Sequence, residues 1–204
     1  MNRRHRLVIA CAALLAGCSG PAQKSTLSNL FGKPTPVPRE GRHTAKSFSV
    51  ELPAGWVRKT LNDDTVAASL DGFLLQSIVV EQRNLDKAFP KTRKIARTDA
   101  LSTELAELEI AELKASGPQM AALEVMQNEP ATLSGEEGYR LTFRHRTSRG
   151  LVIQHVVQGC VTRNGYFRLE YAAPALHYFA PTLPEFDKSA ASFTLIAAST
   201  PARK

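Results

Sequence analysis

The sequence has 204 residues, a formal net charge of +7, 43% hydrophobic and 22% charged residues. That length fits one domain plus a leader, and such a domain can bury a sizeable core without disulfide staples. Arg3, Arg4 and Arg6 stand in the leader, so the remainder carries about +4, too mild for a general nucleic-acid binder.

Read in chain order, a basic start is followed by an apolar run over 7–16, too short to span a bilayer core of roughly 30 Å. It runs into Leu15-Ala16-Gly17-Cys18, small residues ahead of a cysteine, which match the bacterial lipobox. The match predicts a signal peptide over 1–17, cleavage before Cys18, and a lipid thioether on the Cys18 thiol. An ordinary export signal, which also wants small residues at its cleavage site, is the competing reading. Ser19 is not the aspartate that retains such lipoproteins at the inner membrane, which points to the outer membrane, facing the periplasm. Residues 18–46 read as the lipidated cysteine and a flexible, proline-rich tether, with Pro34, Pro36 and Pro38 favouring extended chain. Leu27, Leu30 and Phe31 could make a short docking turn.

The folded domain is expected over 47–197, with a tail at 198–204. Phe48-Ser49-Val50-Glu51-Leu52 alternates as a half-buried strand, Pro53-Ala54-Gly55 turns the chain, and Trp56 to Thr60 resumes it. Thr65 to Leu70 and Phe73 to Glu81 read as strands joined at the Asp71-Gly72 turn. Thr98 to Ser116 reads as the long helix, capped by Thr98 or Asp99 and ended by Gly117-Pro118. Leu101, Leu105 and Leu108 form its apolar stripe, which leaves Glu104, Glu107 and Glu112 for solvent. Ala122 to Gln127 is the next expected strand, with a turn region from Glu129 to Gly138. Tyr139 to Arg146 alternates with Tyr139, Leu141 and Phe143 inward; Leu151 to Val161 follows, and Asn164-Gly165 joins it to Tyr166–Ala172. Beyond Pro174 the pattern is helical in pieces, broken by Pro181 and Pro184, with a last helix from Glu185 to Ser192. The fold class is α+β: an antiparallel β-sheet flanked by helices.

The chemistry-bearing residues form no recognisable catalytic motif. His145 and His155 could approach across a hairpin, but helical zinc spacing and a third ligand are missing, so structural or surface roles are favoured and no metal or cofactor is expected. Gly135-Glu136-Glu137-Gly138 reads as a solvated turn. Cys160, in an apolar strand, reads as a buried inert thiol rather than a nucleophile or an intermolecular disulfide partner. Two basic groups stand out. Lys91, Arg93, Lys94 and Arg97 cluster ahead of the helix. Arg140 and Arg144 share a strand face that Arg168 on a neighbouring strand could join, giving a surface for an anionic partner, lipid head groups or an acidic protein. A solvated surface with local acid partners such as Glu170 is the plainer reading.

The opening Phe48-Ser49-Val50-Glu51-Leu52-Pro53-Ala54-Gly55-Trp56, the Asp71-Gly72 turn, Gly135 to Arg140, Tyr171 to Pro174 and the closing Ser192-Phe193 resemble the PsbP-like superfamily. That superfamily includes DcrB-like bacterial lipoproteins and a eukaryotic Ran-GTPase-binding factor. The resemblance implies a PsbP-like α/β/α sandwich over 47–197 and a binding or assembly role without catalytic residues to carry across. The expected protein is therefore a non-catalytic, lipid-anchored envelope protein that binds an envelope protein partner and supports its assembly or stability. Alternatives are a carrier or sensor of a small ligand, and an envelope hydrolase without a recognisable motif. A cavity lined by Trp56, Phe73, Phe143 and Tyr171 would favour the ligand; a filled core with an exposed apolar patch would favour the protein partner.

Overall fold

A computed structural model describes residues 35–37 and 41–196. The signal peptide, Cys18, the proposed docking turn and the 198–204 tail lie outside the described residues. In chain order the elements are β1 (Thr35–Pro36), β2 (Arg42–Thr44), β3 (Phe48–Glu51), β4 (Val57–Asn62), β5 (Thr65–Ser69) and β6 (Ser77–Arg83). After a 3-10 turn at Leu85–Lys87 come α1 (Ser102–Lys114), α2 (Pro118–Ala121) and β7 (Glu124–Leu133). Next are β8 (Glu136–Arg146), β9 (Val152–Thr162), β10 (Gly165–Pro174), α3 (Phe179–Ser192) and β11 (Thr194–Leu195).

Eight strands form one antiparallel sheet in the order β1-β4-β5-β6-β10-β9-β8-β7; β11-β3-β2 form a second, small sheet. Side chains of neighbouring residues alternate across a strand, so the large sheet buries two separate cores. On one face Trp56, Val66, Ile78, Val80, Phe167, Leu169 and Tyr171 pack under α3 and the small sheet, with Phe48, Phe186 and Phe193. On the other, Tyr139, Leu141, Phe143, Val157 and Tyr166 pack under α1 with Leu105 and Leu113. The α+β class and the antiparallel sheet flanked by helices are as the sequence implies.

Several boundaries differ, each for a local reason. Composition reads as tether up to residue 46, yet β1 pairs Thr35 and Pro36 with Arg58 and Val57, and β2 pairs with β3. Val37 is buried and donates its N–H to the Trp56 carbonyl at 2.7 Å. Proline-rich chain is already extended, and an edge strand tolerates Pro36 because no partner on that side needs its missing N–H. Gly41 admits no side chain: a Cβ there would stand 2.3 Å from the Leu52 carbonyl oxygen.

Phe73 to Gln76 do not extend β6. Gly72, at φ +110°, opens a turn in which Leu75 and Gln76 donate their N–H groups to its carbonyl. The long helix starts at Ser102 rather than at Thr98. Arg97 and Asp99 pair with each other at 2.6 Å, and the Glu104 carboxylate accepts the Leu101 N–H. β7 runs through the expected turn region, with Pro130 tolerated at the sheet edge; the turn itself is Ser134-Gly135, both at positive φ. Pro181 falls in the first turn of α3, where its absent N–H costs nothing, and one helix continues past Pro184.

Candidate interaction surfaces and a buried charge network

The α1 face of the large sheet carries charge as well as apolar side chains. Strand register puts Glu81, Arg168, Gly159 and Tyr139 on one rung across four strands. Arg168 is 4% exposed and held by three carboxylates: its Nε donates to Glu109 at 2.7 Å, and its Nη1 to Glu170 at 2.8 Å and Glu81 at 3.1 Å. Arg83 donates two hydrogen bonds to the same Glu81 and one to the Ala88 carbonyl. The second Glu109 oxygen accepts the Tyr166 hydroxyl at 2.9 Å, and the Tyr166 and Tyr139 hydroxyls meet at 2.5 Å. Gly159 leaves the space for this: a Cβ there would lie 2.9 Å from the Tyr139 ring. Further along α1, buried Glu112 accepts the N–H groups of Lys91 and Thr92 at 2.7 and 2.8 Å, tying the basic loop to the helix.

The line continues outward through Glu170, whose Oε1 meets His155 Nδ1 at 2.7 Å. A carboxylate only accepts, so Nδ1 carries the proton and, in neutral His155, Nε2 accepts from His145 Nδ1 at 3.1 Å. The His155 ring stacks on Phe143 at 4.4 Å. Burial lowers the His145 pKa, nearby His155 adds to that, and Glu170 opposes it. Burial would raise the Glu170 pKa, but Arg168 and the His155 hydrogen bond outweigh it and hold the carboxyl far below the usual range. Burial likewise disfavours charge on Arg168, and the Glu109, Glu170 and Glu81 carboxylates reverse it, holding the guanidinium charged. Tyr139 and Tyr166 are kept protonated, first by burial and then by Glu109. Chemically the network is a clamp: fixed charges, each engaged, fasten α1 to β6 and β10. Among the described residues no group of three or more His, Cys, Asp or Glu is arranged to hold a metal ion.

The proposed anionic-partner surface is therefore not one surface. Arg168 shares its rung with Tyr139, so it points to the α1 side, whereas Arg140 is one residue out of phase and points to the α3 side. Burial and three carboxylates remove Arg168 from any docking role, which corrects the expectation. Arg140 donates to Asp187 of α3 at 2.7 Å and lies over the Phe186 ring, 5.6 Å from its centroid. Arg144 makes a two-bond contact with Glu124, both at 2.9 Å. Cys160 is buried, and that burial, with Glu136 nearby, pushes its pKa up to about 12. Trp56 and Tyr171 belong to one core, Phe143 to the other, and Phe73 is exposed, so these four do not line one cavity.

Two surface features were not legible in the sequence as sites. On the way into α1, Ile95 and Leu101 are 56% and 65% exposed. Ile95 divides two shallow clefts of 380 and 430 Å³, and Lys94, Arg97, Asp99, Glu104 and Glu107 surround them with mixed charge. The second feature is the β5–β6 loop, where Phe73, Leu74 and Leu75 stand exposed and Leu74 is 97% so.

Neither a family model nor a curated protein matches the sequence. Among solved structures, the solution structure of cyanobacterial PsbP (CyanoP) from Synechocystis sp. PCC 6803 is similar with a TM-score of 0.54 and 13% identity. That match covers 76% of this chain and 91% of CyanoP, and it shows a PsbP-like fold. Mog1 is similar at a TM-score of 0.45 and 12% identity, over 82% of this chain and 98% of Mog1. LpqN, involved in cell envelope biogenesis of Mycobacterium tuberculosis, follows at 0.38 and 16%, over 81% and 86% of the two chains.

Proposed function

We propose that this chain is a non-catalytic lipoprotein of the cell envelope, held in the outer membrane by a lipid on Cys18 and facing the periplasm. In this reading its PsbP-like domain binds an envelope protein and supports that protein's assembly or stability. The observation that carries the reading is the exposed pair Ile95 and Leu101 (the ridge). Ile95 lines both clefts, Leu101 stands six residues on at the start of α1, and charges of both signs rim the clefts. An apolar centre with a polar rim is how protein interfaces are built, and the anchoring side chains contribute most of the affinity. The clamp beneath supports it, because α1 and the loop before it are pinned by Glu109 and Glu112 and so present the ridge in one shape. Arg140 and Arg144 are proposed as a secondary contact for an acidic partner, which must then compete with Asp187 and Glu124.

The test is affinity purification of the tagged, lipidated protein from mild-detergent membranes, with mass spectrometry of proteins and small molecules. A stoichiometric envelope protein should be recovered, and Ile95→Glu with Leu101→Glu should reduce it by about tenfold or more. Arg140→Gln with Arg144→Gln should reduce it less and mainly at low salt. Recovery unchanged by the ridge substitutions removes this surface. A reproducible small molecule in place of a protein makes the chain a ligand carrier.

A further inference from the structure

We propose that one end of the large sheet docks on the surface of the anionic bilayer that holds the chain's own lipid, so that the domain lies against the membrane in a fixed orientation. The proposal rests on the reading of Cys18 as lipidated. Register places the relevant loops at one end. β5 stops at Ser69, and β6 starts at Ser77 opposite Ala172; β10 stops at Pro174 opposite Ile153, and β9 starts at Val152 opposite Arg146. The loops 70–76, 147–151 and 175–178 therefore project side by side from the same sheet end.

That end exposes Leu70, Phe73, Leu74, Leu75, Leu151 and Leu176, with Leu74 at 97% and Leu176 at 71%. Apolar side chains at loop tips, unlike a groove, suit insertion among lipid head groups and upper acyl chains. Basic side chains accompany them. The Lys59 ammonium lies 5.8 Å from the Phe73 ring centroid, and Arg149 is exposed beside Leu151. Asp71 is the acid within the 70–76 loop. Cations beside inserted apolar tips favour an anionic lipid surface.

The point of entry of the chain keeps this end within reach of the bilayer that would hold the Cys18 lipid. β1 pairs Thr35 with Arg58 and Pro36 with Val57, the first residues of β4, and Val57 pairs with Ser69 at the foot of the 70–76 loop. The upstream chain thus joins the fold within two residues of the apolar end. Residues 18–34 can span at most about 60 Å, so a lipid on Cys18 holds this end within that reach of the membrane.

The test uses the lipidated protein in vesicles of phosphatidylethanolamine and phosphatidylglycerol. An environment-sensitive fluorophore is placed at Leu74→Cys or, at the opposite sheet end, at Arg163→Cys; labelling of the parent protein checks that buried Cys160 stays silent. A quencher on the lipid acyl chain should quench the Leu74→Cys probe at least about threefold more than the Arg163→Cys probe. Phe73→Asp should abolish the difference, and Leu176→Asp, at a side chain 71% exposed, should weaken it at unchanged thermal stability. Equal quenching at the two ends overturns the proposal. So does a Leu74→Cys probe that is shielded only when envelope proteins are added, which would assign this end to a protein. Intact-mass measurement reads lipidation separately. If the lipid is missing, the Cys18 reading fails, and vesicle co-sedimentation with and without Phe73→Asp still decides the docking.

Discussion

At the scale of single residues, buried ionisable groups set the behaviour. The folded pKa of Glu170 is depressed, so its contribution to stability is complete above the unfolded value of 4.5 and is lost as pH falls below it. His145, lowered by burial and by His155, and His43, lowered by burial and Arg58, bind protons more readily when unfolded and begin the decline from pH 6.5 downward. The melting temperature should thus fall gently below pH 6.5 and steeply below 4.5, and Glu170→Gln should flatten the steeper limb. A melting temperature rising on acidification would refute the assignment. Cys160 should resist alkylation at pH 8 in the folded protein and react at once in denaturant, since its thiolate is disfavoured and its side chain is buried. Rapid modification of the native protein would show an open route to that strand.

At the scale of elements, α1 shows how charge can be core. Its buried face is Leu105, Ala106, Glu109, Glu112 and Leu113, and the two glutamates have different tasks. Glu109→Ala leaves Arg168 and the Tyr166 hydroxyl short of an acceptor and should cost about 3–5 kcal/mol. Glu112→Ala frees two backbone N–H groups of the 91–92 turn and should cost about 1–3 kcal/mol, with greater mobility of the Ile95 loop. Urea titration of both variants checks the order. This face differs from the expected stripe of Leu101, Leu105 and Leu108, because Leu101 is exposed and Glu109 and Glu112 are buried. Spacing alone already placed Glu109 four residues after Leu105 and four before Leu113, on the same side. Charge argued against burial, and only the facing Arg168 made burial affordable.

At the scale of the whole molecule, the large sheet separates two cores and places the two exposed apolar features apart. The Ile95–Leu101 ridge sits on the α1 side, and the Phe73–Leu75 loop at the sheet end beside the entering chain. In the proposed reading one meets a protein and the other the membrane, which leaves the ridge open while the domain is docked. Strand alternation and the Asn164-Gly165 turn were legible, because period-two patterning and positive-φ turn residues are local signals. They were enough for an antiparallel sheet with flanking helices, the arrangement shared with CyanoP.

By itself, then, the sequence determined the α+β class, most strands of the large sheet, the inward-facing Tyr139, Leu141 and Phe143, the burial of Cys160, and the lipobox pattern ending at Cys18. These rest on composition and short-range periodicity, which act along the chain. The tertiary structure alone decided that Arg168 is a buried clamp rather than a docking cation, because its face depends on register with β9 and β8. It also decided that Pro36 and Val37 belong to the fold, and that Phe73 to Leu75 leave it. The first two turn on which distant strand lies alongside, Glu81 beside Arg168 and Arg58 beside Thr35, and no local pattern encodes that; the third follows from the turn that Gly72 opens.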